Sequence, residues 1–218
     1  MFVGHYAPAL ALKAVRKSPS LAAGFLAVQL LDIGFFPLSY FGIEKWAANP
    51  ALQGFMPVDL YFMPYTHSLV GAAGWALAAG IATALLTPKG SKLVASVIIG
   101  ALVLSHWFLD LIVHRHDLPL LGGAEHKLGY GLWDQPLLEM PLELGLLLAG
   151  FAVYLGVTRA RGAVGNVAPW IVLAILFVVQ GINWFTPPAS DPATFSAMGL
   201  AAYFSMAGLA LWLDNVRT

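Results

Sequence analysis

The chain has 218 residues, 59% hydrophobic and only 10% charged, with a mean hydropathy of +0.77 and zero net charge. A soluble domain carries about 25% charged residues, so the deficit points to a bilayer, and the balanced charge gives no basis for binding nucleic acid. There are no cysteines, which excludes disulfides and thiolate metal sites.

Residues 1–16 are apolar but short, spanning roughly 24 Å if wholly helical. They fit either an amphipathic helix on the membrane surface or a short helix packed against the next one. The first basic residues, Lys13, Arg16 and Lys17, follow this apolar stretch instead of preceding it. That order is unlike a cleavable signal peptide, so insertion is expected to use the first retained helices.

A spanning helix needs about 20 mostly apolar residues. Six stretches qualify, at 20–43, 65–87, 93–113, 136–157, 167–186 and 192–213. Between them lie the polar turn Pro88–Lys92, the Arg- and Gly-containing stretch Thr158–Asn166, and Thr186–Pro192, whose prolines cannot continue a helix. The expected fold is therefore all-α: one polytopic membrane domain over 1–218, with about six spanning helices and a short N-terminal helix.

Lys and Arg are distributed unequally. Eight (Lys13, Arg16, Lys17, Lys89, Lys92, Arg159, Arg161, Arg217) fall on one side, and three (Lys45, Arg115, Lys127) on the other. The positive-inside rule then puts the C-terminus in the cytoplasm. The longer loops, 44–64 and 114–135, face out, with Trp46 and Trp133 expected at the interface. Helices 167–186 and 192–213 carry almost no ionisable groups and read as scaffold or partner-facing surface.

Ionisable groups inside a bilayer are costly and usually face a protein interior or a wet cavity. Here they are Asp32, His67, His106, Asp110, Glu139 and Glu143, with His5 near the start. His106 and Asp110 are four residues apart on one helical face, and His114 extends that face by a turn. Glu139 and Glu143 repeat the spacing. Asp32 and His106 come to similar depths near mid-bilayer, and His5 joins them if residues 1–16 pack inside. His116, Asp117, Glu125, His126 and Asp134 lie in a loop and are expected to be solvated, whereas Asp59, eight residues before His67, is read as a loop residue able to fold back toward it. Asp191 and Asp214 lie near helix ends and are expected to be solvated or to act as caps.

Gly4-His5, Leu30-Leu31-Asp32-Ile33, Thr66-His67-Ser68-Leu69 and Leu104-Ser105-His106 with Asp110 occur in this order over residues 4–121. This ordered set resembles the YdjM-like family of inner-membrane, metal-dependent hydrolases. The resemblance implies that His5, Asp32, His67, His106 and Asp110 are metal-binding positions. The family's Asp-x-Asp-His is Asp32-Ile33-Gly34-Phe35 here, and its His-Arg-Gly is Phe62-Met63-Pro64. The residues retained suffice for one ion.

Imidazole and carboxylate ligands suit zinc. The expected centre is one ion on His67, His106 and Asp110, completed or oriented by Asp32 or His5, with Ser68, Ser105 and His114 supporting it. Glu139 or Glu143 would be the general base. A site in the outer half of the membrane suggests a lipid or lipid-linked ester or phosphoester. The rival expectation is a non-catalytic membrane protein with a buried His/Asp network, either a subunit of a larger assembly or a proton or ion path.

Overall fold

The computed structural model describes residues 1–52, 54, 56–87, 90, 92–123 and 126–218. Glu125, Lys89 and most of the Pro88–Lys92 turn lie outside the described residues. The protein is an all-α helix bundle. Its helices are α1 (Tyr6–Ala11), α2 (Leu21–Val28), α3 (Leu30–Tyr40), α4 (Leu69–Leu86), α5 (Lys92–Val113), α6 (Pro136–Val157), α7 (Ala163–Phe185) and α8 (Pro192–Val216). Two small antiparallel hairpins sit in the loops: β1 (Lys45–Ala48) with β2 (Val58–Phe62), and β3 (Leu118–Pro119) with β4 (Lys127–Leu128). Helices α4 to α8 are each long and apolar enough to cross a membrane, and α2 with α3 forms a bent pair that is either a sixth, broken span or a re-entrant loop. The chain is thus an integral membrane protein.

Local chemistry sets the helix ends. Ser20, Ser68 and Asp191 accept hydrogen bonds from Ala23, Gly71 and Thr194 N–H at the starts of α2, α4 and α8. Pro136 and Pro192 open α6 and α8, where a missing amide hydrogen costs nothing. Asp214, near the end of α8, accepts from Leu21 N (2.9 Å) and Ala22 N (3.0 Å), so it caps α2 from across the bundle.

Residues 20–43 do not form one straight helix. The span breaks at Gln29 and bends by 50°. Gln29 is fully buried, and its Nε2 donates to Phe2 O at 3.2 Å. The residue at the break therefore grips the N-terminal segment.

That segment takes the second of its two expected placements. Val3, Tyr6, Ala9 and Leu10 are buried inside the bundle. α1 lies against α6 closely enough that a Cβ on Gly150 would sit 2.7 Å from Ala7 Cα. Only glycine permits this approach.

The most exposed spanning helix is α4, where 6% of the apolar window is buried. By contrast α7 and α8, expected as scaffold, send side chains into the polar interior. Trp46 and Trp133 are not interfacial anchors. Trp46 is buried with Nε1 donating to Ser39 Oγ at 2.7 Å, and Trp133 is buried against His114. The hairpin and the loop after α5 fold back over the bundle and carry both indoles inward.

Candidate metal centre

Four elements converge at one buried point. The turn Val3–His5 brings His5, α3 brings Asp32, the turn before α4 brings His67, and α5 brings His106 and Asp110. His5, His67, His106 and Asp110 are at most 3% exposed. The structure thus gathers the five residues that the sequence grouped.

The orientation of each imidazole follows from the partner of its Nδ1. His106 Nδ1 lies 2.6 Å from Val28 O. Val28 ends α2, where carbonyls are left without intrahelical donors. A carbonyl can only accept, so Nδ1 carries the hydrogen, and in the neutral ring Nε2 presents a lone pair. His67 Nδ1 is 2.7 Å from Thr66 Oγ1, which itself donates to Glu44 Oε2 at 2.6 Å. Thr66 must therefore accept from Nδ1–H, and His67 Nε2 also faces inward with a lone pair. Glu44 is held by Tyr65 N and Thr66 N as well. His114, just past the end of α5, bonds Asp117 Oδ1 through Nδ1 at 2.8 Å and points Nε2 at Asp110 Oδ2, 3.5 Å away.

Three imidazole Nε2 atoms thus face carboxylate oxygens. A neutral ring would set its Nε2 lone pair against a carboxylate, which repels, so each such contact needs a cation, proton or metal, between the two groups. The distances bear on which. His106 Nε2 is 3.0 Å from Asp110 Oδ2 and 3.6 Å from Asp32 Oδ1. His67 Nε2 is 3.1 Å from Asp32 Oδ1 and 3.8 Å from Asp110 Oδ2. Donors of a tetrahedral ion with bonds of about 2.0–2.2 Å stand roughly 3.3–3.6 Å apart. Despite its 3.0 Å approach, His106 Nε2 is a buried atom with no hydrogen bond of acceptable geometry. The His/Asp group can hold a metal ion, through Asp32, His67 and His106 or through His5, His106 and Asp110.

The other members support this set. The His5 ring stacks on His106 with centroids 3.9 Å apart, and its Nε2 is 3.3 Å from Asp110 Oδ1. The Met1 nitrogen is 3.2 Å from the same oxygen. Asp32 Oδ2 accepts from the Tyr203 hydroxyl. Trp107 Nε1 donates to His67 O at 2.9 Å and fixes that turn. Outside the spans, burial opposes a charge on His114, but Asp117 and Asp110 outweigh it and hold the ring up at about 9.

The two glutamates stand to one side. Glu143 Oε1 accepts from Phe2 N and from Gly4 N (3.0 Å), and its Oε2 accepts from Gln180 Nε2 (3.0 Å). Glu139 Oε2 accepts from Trp184 Nε1 at 3.1 Å. They fasten α7 and the N-terminal segment to α6. Ser68 donates to Pro64 O and caps α4, while Ser105 donates to Leu102 O, so both hydroxyls are used within their own segments.

Asp117 is buried in its bond to His114, not solvated. Asp134 pairs with Arg115, at 2.6 Å from Nη2. His116, His126 and Asp59 are exposed. Sequence reasoning missed Glu44, Thr66, Asp117, Gln180 and Tyr203 as partners of the centre. The three-residue spacing of His114 and Asp117 was a legible signal, but nothing local marks Glu44 or Tyr203.

A cavity of about 250 Å³ ends on this centre, with Asp32, His67, Asp110 and His114 in its lining. No family model, no curated protein and no solved structure matches the chain.

Proposed function

We propose that the protein is a membrane-embedded, metal-dependent hydrolase acting on a lipid or lipid-linked ester or phosphoester. The observation that carries this reading is the inward set of imidazole Nε2 atoms facing buried carboxylates at the end of a cavity. His67, His106 and Asp110 would hold the ion, and the all-nitrogen-and-oxygen donor set suits zinc. Such an ion lowers the pKa of bound water and polarises a carbonyl or phosphoryl oxygen. Asp32 borders the cavity and is steadied by Tyr203, so it is placed to orient water and accept its proton. Thr66 with Glu44, and Asp117, fix the outer nitrogens of His67 and His114, the arrangement that holds metal-binding histidines in place. Glu143 acts one step away, by holding the segment that carries His5. The ordered motif resemblance to YdjM-like hydrolases supports the same reading.

A bacterial inner (plasma) membrane with the C-terminus cytoplasmic fits the Lys/Arg asymmetry. Lys13 meets Asp214 at 3.4 Å, Lys17 meets Gly90 O at 3.3 Å, and Arg159 N donates to Thr218 O, which gathers basic segments at one end.

One observation favours the rival, a non-catalytic bundle in a larger assembly or proton path. Each centre carboxylate oxygen that faces inward has an imidazole nitrogen within 3.8 Å, so protons alone can balance the charge. Elemental analysis of purified protein separates the two. The hydrolase reading expects about one zinc per chain, lost in His106→Ala. Metal-free wild-type protein after purification in zinc-supplemented buffer would sink it.

A further inference from the structure

The cavity that ends on the His/Asp centre has walls unlike its floor. Phe36, Phe195 and Tyr203 line it from α3 and α8, Val179 and Ile182 from α7, and Met63 from the turn after β2. The Phe36 ring is seated against Gly199, where a Cβ would come within 2.1 Å of Cζ, so the small residue leaves room for the aromatic wall. Where the cavity reaches the surface it is lined by Ile182 on α7 (54% exposed) and Met198 on α8 (58% exposed), and by the exposed Thr186 and Pro187 of the connection between these helices. The mouth therefore lies near the joined ends of α7 and α8, with apolar helix surface on one side and the connection on the other. Asn183 and Thr186 add polar groups to the lining near the end of α7, toward the Pro187–Pro188 connection.

We propose that this cavity seats one hydrocarbon tail of a membrane lipid, entering between α7 and α8 near their connection, with its polar linkage at the His/Asp centre. An apolar wall open to lipid selects a tail, and a polar floor selects the bond that joins tail to head. The size limits the occupant to one tail: about 250 Å³ is below the ~300–1,000 Å³ typical of small-molecule sites. The proposal rests on the hydrolase reading for the fate of the linkage, whereas occupancy of the tail site does not depend on it.

The test uses full-length protein in lipid nanodiscs and a lysophosphatidylcholine with a diazirine in its tail. After irradiation, labelled residues are mapped by peptide mass spectrometry. Phe36 and Met63 are 6% and 1% exposed, so lipid around the bundle cannot reach them. They are expected to be labelled, along with Leu77 and Ile81 on the exposed face of α4, which report ordinary lipid contact. Ala202→Phe, which fills the cavity, is expected to cut labelling of Phe36 and Met63 at least tenfold and leave α4 labelling unchanged. Met198→Trp at the mouth should do the same, so a folding defect in one variant does not decide the result. His106→Ala should abolish zinc binding while the interior labels persist, which separates failure of the tail site from failure of the hydrolase reading. Interior labelling that survives both filled variants overturns the proposal, as does absence of interior labelling in wild type.

Discussion

His106 is the hinge of the candidate centre: its Nδ1 is spent on Val28 O and its Nε2 meets both carboxylates. Its pairing with Asp110 was readable because four residues is one helical turn. Asp32 and His67 were readable because ionisable groups stand out in apolar segments. The outer partners were not, since Glu44 reaches the centre only through Thr66, and a carboxylate in a loop carries no mark of its distant neighbour. These partners are expected to tune the ion without contacting it. Glu44→Gln and Asp117→Asn should each weaken zinc binding by roughly 10–100-fold, measured by competition with a chelating dye. An unchanged affinity in both would remove them from the centre. The same measurement on Ser105→Ala should show no change, because that hydroxyl stays on its own helix.

At the scale of elements, the spanning helices were legible from length and hydropathy, and their ends from Ser20, Ser68, Pro136 and Pro192. The break at Gln29 was not, because Leu30-Leu31 continues an apolar pattern and no proline or glycine interrupts it there. Tertiary bonding, Gln29 to Phe2 and Val28 to His106, decides the bend. The cap on α2 also comes from afar. Asp214→Ala should destabilise the protein by about 1 kcal/mol, within the ~0.5–2 range for lost N-caps, and lower the melting temperature in detergent. An unchanged melting temperature would show that the cap adds nothing net. The cap on α8 is local and titrates. The Thr194 amide that bonds Asp191 holds its carboxyl below the usual value. A depressed carboxyl stabilises above its unfolded pKa of about 3.9, and this contribution fades as pH falls through the lower folded value. Asp191→Asn, which caps comparably but does not titrate, should therefore flatten the loss of thermal stability between pH 5 and pH 2. A slope identical to wild type would show that Asp191 does not contribute to it.

For the whole molecule, the apolar spans of an all-α bundle were legible, five or six of them, and the interior was not. Helices α7 and α8 looked like scaffold because they lack ionisable groups. Gln180, Trp184 and Tyr203 nonetheless bond Glu143, Glu139 and Asp32, using uncharged polar atoms that hydropathy does not flag. The topology is open to direct test because the chain has no cysteine of its own. With the basic end inside, a membrane-impermeant maleimide added to intact cells should label Asp59→Cys and not Arg161→Cys, both exposed positions. The reverse pattern would invert the orientation.

The insertion of residues 1–11 between α2, α5 and α6 has a consequence for biogenesis. His5 leaves the ribosome first, yet it docks on His106, which is 101 positions later, and Phe2 and Gly4 are clasped by Glu143 on a helix made later still. Helices can enter the bilayer one after another while this docking waits. Zinc capture in a translation series stopped at successive lengths would then report final assembly and not insertion: chains ending before α6 should insert yet retain little metal, and retention should rise once Glu143 is available to clasp the segment.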